Sequence, residues 1–184
     1  MKNIDKNSMS YIINPIYYNK QRRKNNLTGS PIPTPKTFFL AAGGSEGMTP
    51  LNAFDNALMD AKVGNTNIIK MSSILPPSCR KIRLVKLPYG TLVPAAYASK
   101  TSSILGEMIA SGVAVAIPKN PSLPGLIMEY SGSGYKKEVE EIVRNMAEEG
   151  MRHRGYEVKE ILSKAIQRKV KKCAATFAAV VLWW

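Results

Sequence analysis

From Thr37 onward the chain divides into short apolar runs separated by turn-forming residues. The run "TFFLAAGG" predicts a strand over Phe38 to Ala42, closed by Gly43 and Gly44. "SEGMTPLNAFDNALMDAKVGN" then takes on helical spacing: Thr49 can cap, Pro50 suits the first helical position, Leu51, Phe54 and Leu58 share a face, and Gly64 offers a left-handed stop. "NTNIIKMSS" reads as a strand, and "RLVKLPYGTLVPAAYA" carries one or two more, with Pro88 and Pro94 placing them at edges or bulges. "GVAVAIP" and "GLIMEYSG" are further strands. "KKEVEEIVRNMAEEGM" is an amphipathic helix, with Val139, Ile142, Val143 and Met146 on its apolar side and Glu138, Glu141 and Arg144 outside. "VKEILSKAIQRKV" fits helix or strand, so residues 157–170 stay open on pattern alone. Several strands in a row between two helices point to an α+β layered sandwich rather than a doubly wound parallel sheet.

Composition narrows the picture. A chain of 184 residues, 45% of them hydrophobic, can bury one real core. The final run "CAATFAAVVLWW" is too short to span a membrane, which takes about 20 residues, and reads as a buried strand. "SYIINPIYYN" near the start is interrupted by polar residues and Pro15, a poor signal-peptide core. Cys79 and Cys173 form no CxxC pair, and His153 is the single histidine, so no Cys/His metal site is expected and a reducing, cytoplasmic setting is. The net charge is +13, with +6 of it in residues 1–36, a segment rich in Asn, Lys and Pro that predicts a basic, flexible extension ahead of a domain over 37–184. Such an arm can touch RNA or anionic lipid, but it is commonly solvated without a specific ligand.

Candidate chemistry is sparse. Ser-His-Asp catalysis would depend on His153, which sits among charges at a helix end. "AAGGSEG" lacks the spacing of a phosphate loop and reads as a turn. What remains is "KMSSILPP", a strand ending in Ser72 and Ser73 before two prolines. A strand end running into a turn would account for it. So would self-cleavage. A serine hydroxyl can attack the preceding carbonyl if a donor stabilises the oxyanion, and β-elimination then cuts the chain and leaves dehydroalanine, which hydrolyses to a pyruvoyl group. That ketone can form a Schiff base with an amine and accept electrons from a departing carboxylate, the part pyridoxal phosphate plays elsewhere.

Several ordered motifs carry a resemblance. "TPLNAFDNAL", "GNTNIIKMSSILPP", "KLPYGTLVPAAYA", "GLIMEY" and "FAAVVLWW" together resemble the pyruvoyl-dependent arginine decarboxylase family over residues 36–184. The resemblance implies a self-cleaved αββα-type sandwich, with a β chain 1–72 and an α chain 73–184. It also implies a homotrimer with active sites between neighbours, a strand near Leu162, and decarboxylation of L-arginine to agmatine in polyamine synthesis. It needs no metal and no pyridoxal phosphate.

Residue by residue, the resemblance implies that Ser73 becomes the pyruvoyl group, that Ser72 supplies the carbonyl attacked, and that Asn67 assists through a side-chain amide near the oxyanion. Glu129 is then the proton donor. Flanked by Met128 and Tyr130 in an apolar strand, it would be partly desolvated and able to keep a proton available. Asp55 is the substrate-binding acid, a natural bidentate partner for a guanidinium. Read alone, Glu129 is an outward-facing strand residue and Asp55 part of a solvated helix face. The extension 1–36 has no counterpart in the family core. The positive net charge repels a cationic substrate, a tension eased by screening over roughly 8–10 Å. Two other readings stand beside this one: the same chemistry on lysine or ornithine, and a basic RNA-binding protein without catalysis.

Overall fold

The structure, a computed structural model, describes residues 32–184. The extension expected over residues 1–36 lies almost wholly outside the described residues. At its described end the chain is tied down: the Trp184 indole donates to Pro33 O at 2.7 Å, and Lys36 N–H donates to Trp183 O at 3.1 Å.

Nine strands and two helices follow among the described residues. The first sheet has the order β2-β5-β9-β1-β4, built from β1 (Thr37–Glu46), β2 (Asn67–Lys70), β4 (Arg80–Lys81), β5 (Leu92–Ser102) and β9 (Ala174–Trp183). The second has the order β3-β7-β6-β8, from β3 (Ile74–Leu75), β6 (Met108–Pro118), β7 (Gly125–Ser133) and β8 (Val158–Lys169). Both sheets are largely antiparallel, with β1–β4 and β2–β5 parallel. Helix α1 (Pro50–Asp60) covers the first sheet through Ala53, Ala57, Phe54 and Leu58 packed on Phe39, Phe177, Ala179 and Val181. Helix α2 (Lys136–His153) covers the second through Val143, Ala147 and Met151 on Ala114, Ala116 and Leu126. Between the sheets lie Phe38, Leu75, Val113, Val115, Ile127, Ala178, Val180 and Leu182. The layers therefore run helix, sheet, sheet, helix, an α+β sandwich. Each large side chain so buried, Phe38 and Phe177 among them, contributes about 1.5–3 kcal/mol.

Four expectations need correction. β1 does not stop at Ala42; it continues through Gly43 and Gly44 to Glu46, paired to β9 throughout. The glycines are there for clearance, since a Cβ on Gly43 would lie 2.3 Å from Ala57 O and 2.4 Å from Ala61 N. So "AAGGSEG" is a strand running under a helix, not a turn. In α1, Leu51 is exposed and the buried stripe is Ala53 and Ala57, because the helix rests so close to β1 that only methyl groups fit. The left-handed residue after α1 is Lys62, with φ 66°, whereas Gly64 is needed because a Cβ there would meet Met59. In α2, Ile142 is exposed and Met146 only half-buried, and the core positions are Val139, Val143, Ala147 and Met151, four apart. Of the one or two strands expected in "RLVKLPYGTLVPAAYA", one forms, β5; residues 82–91 before it are irregular, and Ile82, Val85 and Leu87 pack under α1.

The segment open on pattern is a strand: β8 pairs with β6 along almost its whole length. At Thr49 the expected cap forms, its hydroxyl accepting from Asn52 N–H at 3.2 Å.

Candidate active site

β2 and β3 are edge strands of different sheets, and Met71, Ser72 and Ser73 carry the chain from one to the other. The crossing is anchored at both ends. Met71 N–H donates to Ala95 O at 3.0 Å, extending the β2–β5 pairing, while Ser73 O accepts from Ile127 N–H at 2.8 Å, one residue ahead of the β3–β7 pairs Ile74↔Leu126 and Leu75↔Gly125. Between the anchors Ile74 N–H donates to Ser72 O at 2.9 Å, closing a three-residue turn around Ser73. Ser72 is exposed and Ser73 half-buried.

The Ser73 hydroxyl donates to Glu129 Oε2 at 3.0 Å. Glu129 lies in β7 opposite Val113 of β6, and strand alternation puts it on the same face as Ile127, both of whose neighbours belong to the core between the sheets. It is thus not an outward-facing strand residue; it stands half-buried at the margin of the inter-sheet core. Met128 and Tyr130 alternate to the other face, where Met128 packs against the α2 cluster. The structure therefore brings together Ser72, Ser73 and Glu129.

It does not bring Asn67 or Asp55 to them within one chain. Asn67 begins β2, paired with Leu92, and its side-chain amide donates to Gly90 O at 2.7 Å. The strand from Asn67 to Lys70 alone spans about 10 Å. Asp55 is exposed on α1, next to Phe54, whose ring meets Phe177 edge-on at 6.1 Å. On the same side of the first sheet, Tyr97 leans on Phe177 at 5.2 Å and the Lys70 ammonium sits 4.7 Å above the Tyr97 ring. Asp60, one and a half turns further along α1, has a structural role, since its carboxylate accepts from Gly44 N–H at 2.9 Å.

The sequence reading missed the two backbone donors, Ile74 and Ile127. No residue type signals them, because every non-proline residue carries an N–H and only the strand crossing aims these two at the serine carbonyls.

A strand crossing that ends in a serine pair, a hydroxyl bonded to a half-buried carboxylate, and a carbonyl held in a tight turn suit chemistry in which the chain acts on itself. Similarity to known proteins identifies the family. The family model for pyruvoyl-dependent arginine decarboxylase matches residues 37–183. A pyruvoyl-dependent arginine decarboxylase of Methanocaldococcus jannaschii is 51% identical over 150 residues, covering 82% of this chain and 91% of its own length. One from Methanococcus maripaludis is 47% identical over 161 residues, 88% of this chain and 98% of its own. One from Thermococcus kodakarensis is 44% identical over 152 residues, 82% and 96%. With the match spanning every strand and both helices of the sandwich, the chain belongs to the pyruvoyl-dependent arginine decarboxylase family.

Proposed function

We propose that this chain cleaves itself between Ser72 and Ser73, converts Ser73 to a covalent pyruvoyl group, and decarboxylates L-arginine to agmatine and carbon dioxide, feeding polyamine synthesis. The observation that carries this reading is the Ser73–Glu129 hydrogen bond at a crossing where the Ser72 carbonyl is already held by Ile74 N–H. The attacking atom, the carbonyl under attack and a carboxylate converge on one residue. These residues fit the formation of the group, because Ser73 supplies all three of its carbons as well as the nitrogen of the bond to be cut.

The pyruvoyl ketone supplies the electron sink that loss of an α-carboxylate requires. The other roles fall to side chains. Glu129, aimed at residue 73, delivers the proton to the carbon that loses carbon dioxide. Asp55 holds the guanidinium through a bidentate pair, and Asn67 offers an amide to the oxyanion of self-cleavage. Since neither Asp55 nor Asn67 lies beside Ser73 in one chain, each serves the serine pair of a neighbouring copy, in a homotrimer with sites at its interfaces. The exposed apolar residues Ile69 on edge strand β2, Ile74 on edge strand β3 and Leu92 at the start of neighbouring β5 support such an interface. The extension 1–36 precedes the family match and takes no part in catalysis. Cys79 and Cys173 are free and buried, which suits a cytoplasmic setting. No helix among the described residues is long and apolar enough to cross a membrane.

Intact mass tests the proposal without assuming a substrate. Incubated native protein should give chains 1–72 and 73–184 whose masses sum to about one dalton above the precursor, since one water is gained and one ammonia lost. Ser73→Ala should remain whole and inactive, whereas Ser72→Ala keeps the carbonyl and should still process. A wild-type chain that stays whole with an ordinary Ser73 defeats the reading. Comparing kcat/KM for arginine, lysine and ornithine on the cleaved protein tests the substrate separately.

A further inference from the structure

We propose that two backbone N–H groups divide the self-cleavage between them: Ile74 N–H stabilises the oxyanion on Ser72 as the ester forms, and Ile127 N–H stabilises charge on the Ser73 carbonyl as the ester is eliminated. The inference rests on the cleavage reading above and adds to it the groups that drive each step.

In the first step Ser73 Oγ bonds to the Ser72 carbonyl carbon, whose π electrons move to its oxygen. The carbon–nitrogen bond then breaks, and the hydroxyl proton ends on the departing Ser73 nitrogen, leaving an ester and a free amine. The charge therefore develops on Ser72 O, where Ile74 N–H already stands at 2.9 Å. That distance is right for a preorganised donor. The turn that places it costs little, because the described non-glycine residues with positive φ are Lys62 and Ser78, so Ser73 closes the turn in its relaxed inverse form. Asn67, the side-chain candidate for the same oxyanion, gives one amide hydrogen to Gly90 O in its own chain and keeps the other for the serine pair of a neighbouring copy, so the donor already in place within the chain is Ile74 N–H.

In the second step the Ser73 Cα proton passes to solvent base and the Cβ–Oγ bond breaks, its electron pair leaving with the Ser72 carboxylate. Charge spreads from Cα onto Ser73 O. Ile127 N–H lies 2.8 Å from that oxygen. Water then converts the resulting enamine to the ketone and releases ammonia. Because the two donors address different oxygens, removing each should stall a different step.

The test replaces each amide by an ester, through translational incorporation of the α-hydroxy acid analogue of isoleucine at position 74 or 127 of the full chain. At position 74 we expect uncleaved chain without a Ser72–Ser73 ester, and processing slowed about 10²- to 10³-fold, the usual worth of one such donor. The new ester also makes the Ser73 carbonyl more electron-withdrawing, which eases elimination, so the loss can be assigned to the first step. At position 127 we expect the Ser72–Ser73 ester to accumulate. Hydroxylamine then cuts it, giving fragment 1–72 as a hydroxamate and a fragment that begins with an unmodified serine. The cuts it makes at the introduced esters differ in mass and do not interfere. Isoleucine itself, delivered to position 127 by the same translational route, restores the N–H and should process at the wild-type rate. If the wild type cleaves while both ester variants cleave at its rate, or both stall at the same stage, the division of labour is wrong. If the wild type itself stays whole, the cleavage reading falls, and this inference with it.

Discussion

Ser73 and Glu129, 56 residues apart in sequence, meet at 3.0 Å because an edge strand of one sheet crosses to pair with β7 of the other. The contact makes Glu129 the natural place to separate the chemistry of the substrate from the chemistry of maturation. Glu129→Gln keeps the shape and a hydrogen-bonding group but carries no transferable proton. It should fold, cleave and bind arginine, with kcat lowered about 10²- to 10⁴-fold. Single-turnover measurements on the cleaved variant check this. Tyr130 alternates to the opposite face of β7 from Glu129, so within one chain it does not stand beside Ser73.

Asp55→Asn should raise KM for arginine and lower kcat/KM by at least about tenfold while leaving cleavage untouched. The amide loses the charge-assisted bidentate pair, and self-cleavage involves no guanidinium. An Asp60→Asn variant provides the contrast. Its effect should fall on stability, since its partner is Gly44 N–H. Equal kinetic effects of the two would remove Asp55 from the site.

Gly43→Ala places a methyl group inside α1, 2.3 Å from Ala57 O and 2.4 Å from Ala61 N. The obstacle is backbone, so the helix must lift from the sheet. A loss of about 1–3 kcal/mol or more is expected, read as a lower urea midpoint with an unchanged m-value. Gly90→Ala meets nothing nearby, although its φ of 73° makes it a strained position for a different reason.

Burial pushes the Cys79 thiol up to about 11, against the smaller downward pull of Arg80 N–H. A raised folded value means the native state holds its proton longer than the unfolded chain. This contribution to stability is whole below pH 9 and is lost as the pH rises through 11. The urea midpoint should therefore fall between pH 9 and 11, and less so in Cys79→Ala. At pH 8 alkylation of Cys79, mapped by peptide mass, should run well below the rate of a free thiol.

Removing residues 1–31 should leave cleavage and arginine turnover within about twofold of the full chain, because the family match begins at Thr37. A truncated protein that neither cleaves nor turns over arginine would give the extension a part in the enzyme.

How much of this is legible in the sequence depends on the length scale of the determinant. Thr49 and Pro50 announce the start of α1 because capping is local. The stretch "MSSILPP" marks the serine pair for the same reason. Gly43 misleads, because its reason for being glycine lies fourteen and eighteen residues away, at Ala57 and Ala61. Periodicity favours Met146 over Ala147 because hydrophobicity ranks side chains by size, while the close approach of α2 to the second sheet selects small ones. Leu87 is buried without a strand, which periodicity has no means to register. Of the candidate site, the residue types come from the family motifs. The backbone donors are not legible, and neither is the distance of Asn67 from the serines, since both are set by where two sheets meet.

The ten-residue ladder between β1 and β9 joins the first strand to the last, and thus joins what would become two separate polypeptides. Once the bond after Ser72 is cut, unfolding releases two molecules instead of one, and recovery becomes a bimolecular search. The thermal midpoint of the mature protein should then rise with its concentration, while that of the Ser73→Ala precursor, compared in the same assembly state, should depend on it less. Maturation would in this sense be a one-way commitment: the fold must be complete before the cut, because the pieces are poorly placed to make it again.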